Sequence, residues 1–164
     1  MKQFIPCIFL FVSLLGYSQE FEDKNKTLLN NLVKNHIEHL SNGDVAKYID
    51  GYSTNYTDLG GGPNGDGTIN FTSWKEKLKE FVASKEFEKI KGKSIEQLLD
   101  VEKKEILNYQ ETIAKNGSMD RFSFVLREGD YLVSFPPKDE SALFDGWFSI
   151  YRLENENWKI IAGD

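Results

Sequence analysis

Residues 119–164 have the sequence MDRFSFVLREGDYLVSFPPKDESALFDGWFSIYRLENENWKIIAGD, and this stretch decides the fold. It contains four runs rich in apolar residues, at 121–126, 131–135, 147–153 and 158–162. Short polar breaks separate the first run from the second and the third from the fourth. Runs of this length, bounded by Gly, Asn and Asp, are typical of antiparallel hairpins. We therefore predict two hairpins here, covered by helices from the upstream chain.

Two helices are predicted near the start of this upstream chain. The first covers residues 23–40 and carries an apolar stripe formed by Leu29, Leu32, Val33, His36 and Leu40, with Ile37 at its margin. Asn42 and Gly43 end this helix, and Asp44 caps a shorter second one. The apolar face of the second helix consists of Val45, Tyr48, Ile49 and Tyr52.

A glycine-rich segment follows a short strand predicted at 52–57. Residues 58–67 contain five glycines and one proline. Because glycine is entropically costly to order, we expect no regular structure there. Two interpretations are open, a lid that faces a ligand and an exposed hairpin connection. We favour the exposed connection, since loops of this kind usually lie at the surface.

Capping boxes mark two further helices. Ser73 with Glu76 predicts the start of a third helix, whose apolar stripe consists of Trp74, Leu78, Phe81 and Val82. Ser94 with Gln97 predicts the start of a short fourth helix. A strand at 105–109, followed by one helical turn, completes the middle of the chain.

The composition limits the classes of function. A length of 164 residues favours one domain. The formal net charge of −6, without a basic cluster, argues against a nucleic-acid partner, because phosphate binding needs clustered Lys and Arg. Cys7 is the only cysteine, so residues 19–164 contain no disulfide and no cysteine-based metal site. We expect no cofactor.

The N-terminal residues predict export. Lys2 precedes an almost wholly apolar run at 4–15, and Gly16-Tyr17-Ser18 follows it. This pattern is typical of a secretory signal and is too short for a stable membrane span. We expect a signal peptide at 1–18 and a single periplasmic or secreted domain at 19–164, with no membrane span after signal removal. The alternative interpretation is a buried N-terminal strand or helix.

Helices followed by paired strands predict an α+β fold with the helices on one face of the sheet. Three local features accompany this order, namely Gly43-Asp44 before a short aromatic helix, Gly67-Thr68-Ile69 before the Trp74 helix, and a closing ENWKII at 156–161. With these residues the chain resembles the NTF2-like superfamily, in particular its SnoaL-like and DUF4440-type members. The resemblance covers most of residues 23–164, with 84–118 as an insertion.

The resemblance implies a cystatin/NTF2-like cone. In such a cone a curved antiparallel sheet wraps around the first helix and leaves an apolar pocket at its open end. The superfamily includes isomerases, dehydratases, epoxide hydrolases, polyketide cyclases and binding domains without a known reaction, so the fold does not give the function. Dimerisation through the outer face of the sheet, which is common in the superfamily, is a further expectation.

His36 is the strongest candidate for a functional side chain, because it lies in the apolar stripe that would face the sheet of a cone. It is either a general base or donor to a ligand, or a core histidine with a backbone or Tyr partner, and we favour the core. Asp120 and Asp145 are weaker catalytic candidates, since capping a turn suits them better. His36 and His39 have no clearly convergent acidic or cysteine ligand, so we predict no metal site.

The aromatic side chains predict either a pocket or a filled core. Together with His36, the candidates for contact with a ligand are Tyr52, Tyr56, Phe124 and Trp147. Three hypotheses of function follow. The first, which we favour, is binding of a small apolar or amphipathic molecule without assured catalysis. The second is a cofactor-independent isomerase, dehydratase or hydrolase that uses His36 with an Asp or Tyr, and the third is a dimeric protein-interaction module.

Overall fold

The structure is a computed structural model that describes residues 6–59, 69–117, 125–138 and 146–163, with the backbone alone for 6–18 and 69. Its helices are α1 (Pro6–Ser41), α2 (Val45–Asp50), α3 (Phe71–Val82), α4 (Ile95–Leu98) and α5 (Tyr109–Asn116), with a 3₁₀ turn at Phe87–Lys89. Its strands are β1 (Tyr52–Asp58), β2 (Ile69–Asn70), β3 (Glu105–Asn108), β4 (Tyr131–Phe135), β5 (Trp147–Glu154) and β6 (Asn157–Gly163). The predicted α+β class is confirmed.

The strands form one curved sheet with the order β2-β1-β6-β5-β4-β3. The β1–β6 pair is parallel, and the other four pairs are antiparallel. The prediction of a purely antiparallel sheet is therefore wrong for this pair. The hairpin with β5 sets the direction of β6, and that direction happens to run along β1, which lies far upstream in the chain.

The second predicted hairpin is confirmed as the β5–β6 pair. Glu154 lies opposite Asn157, and Asn155 and Glu156 form the two-residue turn between them. Both turn residues have positive φ, 49° at Asn155 and 66° at Glu156. Two-residue hairpin turns favour this left-handed geometry because it matches the twist of the paired strands.

The first predicted hairpin, between 121–126 and 131–135, is wrong. β4 pairs with β3 along one edge and with β5 along the other, so neither edge is left for a third strand. At Tyr131, for example, the partners are Asn108 and Tyr151. Residues 125–127 are not in a strand, and residues 121–124 lie outside the described part of the chain. The partner of β4 is instead the strand predicted at 105–109.

α1 contains the predicted 23–40 helix and packs its apolar stripe into the main core. Leu29, Val33 and Ile37 are completely buried. Ile37 therefore lies at the centre of the stripe, whereas Leu32 is only half-buried and lies at its margin. Leu29, Val33 and Ile37 are four residues apart, and this spacing keeps their side chains on the same face of the helix.

The start of α3 differs from the prediction. Oδ1 of Asn70 accepts hydrogen bonds from the backbone N–H groups of Thr72 and Ser73, each at 3.1 Å, so the helix begins at Phe71 and Asn70 is its cap. An Asn side chain in extended backbone can satisfy two of the free N–H groups of a helix start. The capping box predicted at Ser94 is confirmed, with Gln97 accepting from the Ser94 N–H at 2.9 Å.

A second apolar cluster lies apart from the main core and joins α5 to the sheet. Its buried members are Leu126, Ile150, Ile161 and Ala162, with Leu59, Tyr109, Ile113 and Phe148 packed against them. Leu126 and the side chains of α5 therefore cover part of the sheet. Among the residues that the structure describes, no helix is long and apolar enough to cross a membrane.

A buried ion pair holds the segment that carries Leu126. Asp130 is 1% exposed, and its Oδ1 and Oδ2 accept from Nε and Nη2 of Arg152 at 2.7 and 2.6 Å. Nη2 also donates to the carbonyl of Val125 at 3.1 Å, and the N–H of Arg127 donates to Asp130 at 2.7 Å. The carboxylate raises the pKa of Arg152 through these hydrogen bonds. Bidentate Arg–carboxylate pairs are geometrically specific, so this pair fixes the segment on β5.

Candidate functional site

A cavity of about 910 Å³ lies between α3 and the ends of four strands, β1, β3, β4 and β5. α3 forms one wall, and the opposite wall comes from the end of β4 and the start of β5. Leu40 at the end of α1 and Tyr48 on α2 contribute to the remaining surface. Its apolar lining among the described residues consists of Leu40, Tyr48, Trp74, Leu78, Phe81, Phe135, Pro136, Trp147 and Phe148.

The α3 wall is built by residues one turn apart. Trp74, Leu78 and Phe81 share one face of the helix because they are four and three positions apart. The sequence predicts this stripe but not its role, since a helix that lines a cavity has the same periodicity as a helix that covers a core. Partial burial of Trp74 and Phe81 distinguishes the two cases, and that property is visible only in the structure.

Three aromatic rings meet at the cavity surface. The ring of Tyr48 lies 6.1 Å from that of Trp74 and 6.4 Å from that of Trp147, the latter in an edge-to-face arrangement. Edge-to-face contacts are favourable because the positive ring edge meets the negative ring face. Tyr48 therefore contacts both tryptophans, and the three rings present an aromatic surface to the cavity.

Four charged residues also line the cavity, namely Asp58, Lys77, Lys103 and Glu105. Lys103 pairs with Asp100 at 3.0 Å, and Glu105 pairs with Lys115 at 2.5 Å. Asp58 has an interaction partner of its own. Lys77, which is exposed, has no ion pair with any described residue.

His36 lies in the core and is not among the described residues that line the cavity. It is 7% exposed, and its ring lies 4.9 Å from Tyr48, 5.3 Å from Tyr52 and 6.1 Å from Trp147. These three rings separate the imidazole from solvent.

The same surroundings keep His36 neutral at pH 7. Burial lowers the pKa of the imidazole to about 4, and the nearby charges of His39 and Lys159 add to this effect. A hydrogen bond with the backbone of Tyr48 and the charge of Asp50 act in the opposite direction. Nε2 has no hydrogen-bond partner in the described residues, so a proton at this atom would be buried without an acceptor.

Gly51 makes the position of His36 possible. A Cβ atom added to Gly51 would lie 1.7 Å from Cε1 and 2.5 Å from Nε2 of the imidazole. No real side chain can approach another this closely, so any residue other than glycine would displace the ring. The chain therefore needs glycine here for close approach and not for a left-handed turn.

Tyr52 and Tyr56 lie behind the cavity wall. Tyr52 donates a hydrogen bond to the hydroxyl of Tyr48 at 2.8 Å, and Tyr56 donates to the carbonyl of Gly163 at 3.2 Å. Their rings lie 4.1 and 5.1 Å from the ring of Trp74. Burial raises the pKa of Tyr52 and of Tyr48. The phenols of Tyr48 and Tyr52 therefore stay protonated at neutral pH. The rings of Tyr52 and Tyr56 support the α3 wall by packing against Trp74.

The structure thus brings four of the predicted ligand-binding residues, His36, Tyr52, Tyr56 and Trp147, into one aromatic cluster. Of these, Trp147 lines the cavity, and its Nε1 is buried without a hydrogen-bond partner among the described residues. The predicted residues Asp120, Phe124 and Asp145 lie outside the described part of the chain. Within the described ranges, no group of three or more His, Cys, Asp or Glu residues is placed to hold a metal ion.

Fold and cavity together define an α+β protein with an open cavity beside α3. No family model matches the chain, and no curated protein matches it. Among solved structures, the chain is similar to Bd1075 of Bdellovibrio bacteriovorus, with 15% sequence identity and a TM-score of 0.46 over 88% of this chain. The chain spans about two fifths of that protein, or 41% of its length. A likeness at this level carries no functional argument.

Proposed function

We propose that this protein binds a small, mainly apolar molecule in the cavity beside α3. The observation that carries the proposal is the cavity itself, with a volume of about 910 Å³ and an aromatic surface formed by Tyr48, Trp74 and Trp147. Binding sites for small molecules have volumes of roughly 300–1,000 Å³ and combine apolar walls with a few polar groups. The charged residues at 58, 77, 103 and 105 are such polar groups.

The proposal includes membership of the NTF2-like superfamily and export of the domain. The packing of α1 on a curved sheet is compatible with the cone that the sequence resemblance implies.

Export is supported by the apolar run at 4–15 and the small residues after it. Expression of the full chain in a secreting host should yield a protein that begins at Gln19, as measured by intact mass. A product that keeps residues 1–18 would contradict the export.

The second hypothesis, an enzyme that uses His36, receives no support from the described geometry. The imidazole does not border the cavity, and the aromatic rings of Tyr48 and Trp147 lie between core and cavity. The third hypothesis is a dimeric interaction module that uses the outer face of the sheet. It is less well supported, because α5 and Leu126 already cover apolar side chains of the sheet. We therefore keep ligand binding as the proposed function.

A neutral fluorescent probe tests the proposal. N-phenyl-1-naphthylamine is titrated into the protein and excited through tryptophan, and we expect saturable energy transfer. Trp74→Phe and Trp147→Phe should reduce this transfer, because both residues line the cavity. Trp158→Phe is the matched control, since Trp158 packs against Tyr131 at 5.5 Å and is not among the described lining residues. Absence of saturable binding would overturn the proposal.

A further inference from the structure

We propose that the molecule bound in the cavity carries a carboxylate, and that Lys77 binds this carboxylate. The inference rests on the proposed function, because it concerns the same cavity. It narrows the ligand from any apolar molecule to an amphipathic acid.

The charges around the cavity give the first reason. Lys103 and Glu105 are neutralised by Asp100 and Lys115, and Asp58 has a partner as well. Lys77 is the charged lining residue that makes no ion pair within the described ranges. A ligand in the cavity therefore meets one cation that no protein carboxylate already occupies. An anionic group is the partner that such an ammonium favours.

The position of Lys77 gives the second reason. It lies three residues after Trp74 and four before Phe81, and all three residues line the cavity. Side chains at these spacings are neighbours on one helix face. A long lysine stem can lie along apolar surface while its ammonium stays in water. A molecule whose apolar part contacts Trp74 and Phe81 thus has its solvent-facing end within reach of Lys77.

The charge of the whole protein gives the third reason. The chain has a formal net charge of −6, so at long range it repels anions. Two lysines and two carboxylates line the cavity, and their formal charges cancel. The cavity is therefore less negative than the average surface of the protein. Physiological salt screens the repulsion by distant charges beyond about 8 Å. For an acid bound in the cavity, attraction by the nearby ammonium of Lys77 is therefore the larger effect.

The experiment compares two probes of equal size. 1-Naphthylacetate and its neutral amide compete with N-phenyl-1-naphthylamine, and each dissociation constant is measured by loss of the probe signal. We expect the acid to bind about two to five times more tightly than the amide, as for a partly solvated ion pair. About 1 M salt should remove most of this preference, because the Debye length falls to about 3 Å.

Variants on α3 assign the preference to one side chain. Lys77→Met keeps an unbranched stem and should weaken binding of the acid more than binding of the amide, so that the preference for the acid is lost. Lys77→Arg should retain the preference. Lys79→Met is the matched control, because Lys79 is exposed on the same helix and is not among the described residues that line the cavity.

Two results would overturn the inference in distinguishable ways. Equal binding of acid and amide, or a preference that survives in Lys77→Met, contradicts the role of Lys77 and leaves the cavity as a binding site for neutral molecules. Failure of both compounds and of the neutral probe to bind contradicts the proposed function itself.

Discussion

The imidazole of His36 lies against the backbone of Gly51, enclosed by Tyr48, Tyr52 and Trp147. This arrangement makes the residue a neutral packing group. The aromatic edges fill the space around the ring, and the missing side chain at position 51 provides the space on its other side. The sequence placed His36 correctly on the buried stripe of α1. It gave no sign of Gly51, since a contact between residues on different elements leaves no local pattern.

The stability of the protein should fall as the pH is lowered. The pKa of His36 is about 4 in the folded protein and 6.5 without perturbation, so between these values the unfolded chain binds more protons. The free energy of unfolding therefore decreases from about pH 6.5 down to about pH 4, by up to about 3 kcal/mol. Urea unfolding at a series of pH values measures this decrease in the free energy of unfolding.

The variant His36→Gln isolates this effect. It should lose most of the pH dependence within this window, whereas His39→Gln, a half-exposed neighbour, should keep it. Equal slopes in the wild type and His36→Gln would show that other groups govern the pH dependence.

Gly51→Ala should destabilise the fold through its clash with the imidazole. The added Cβ at 1.7 Å from Cε1 forces the ring to move, and overpacking of this kind costs about 1–3 kcal/mol. Urea unfolding of the wild type and of Gly51→Ala measures this loss of stability. In a His36→Ala background the clash is removed, so the same glycine substitution should cost markedly less. Additive losses in the double variant would contradict the proposed contact.

At the scale of elements, local patterns predicted the elements and some of their pairings. The β5–β6 hairpin was predictable because its polar turn and its apolar runs are adjacent in sequence. The partner of β4 was not, because β4 is apolar and buried at four of its five positions and carries no pattern that specifies a neighbouring strand. The parallel β1–β6 pair joins Tyr52 to Ile160, and nothing at either position specifies the other.

Asp130→Ala should release the segment that carries Leu126. The substitution leaves Arg152 without its carboxylate, and breaking a largely buried ion pair costs about 2–4 kcal/mol. Hydrogen exchange on residues 125–130 and urea unfolding would measure the local and global parts of the loss. Glu88→Ala is the control, because its pair with Lys91 is exposed and is worth less than about 1 kcal/mol. Equal losses in the two variants would contradict the role of Asp130.

At the scale of the whole molecule, the cavity depends on elements from every part of the chain. Leu40, Trp74, Phe135 and Trp147 belong to four different elements. The sequence identified Trp147 as a candidate but could not separate cavity walls from core, because both need the same aromatic side chains. Lys77 was not singled out, since a lysine beside a helical stripe is typical of a solvated face.

Ligand binding should raise the thermal stability of the whole domain. A ligand at about one hundred times its dissociation constant adds about 2.7 kcal/mol to the free energy of unfolding. For a chain of this size, that corresponds to roughly 5–10 °C in Tm. Differential scanning calorimetry with N-phenyl-1-naphthylamine measures the shift. In Leu78→Trp, where the larger side chain occupies part of the cavity, the shift should shrink, and an unchanged shift would place the binding elsewhere.

The place of β6 has a consequence for biosynthesis. β6 follows every other described strand in the chain, yet it lies between β1 and β5 and hydrogen-bonds to both. On a ribosome, β1 through β5 emerge first, and among the described strands β6 alone joins the β2-β1 pair to the β5-β4-β3 group. Pairings between distant residues form slowly because the intervening chain must be ordered first. The complete sheet therefore forms only after β6 has been synthesised.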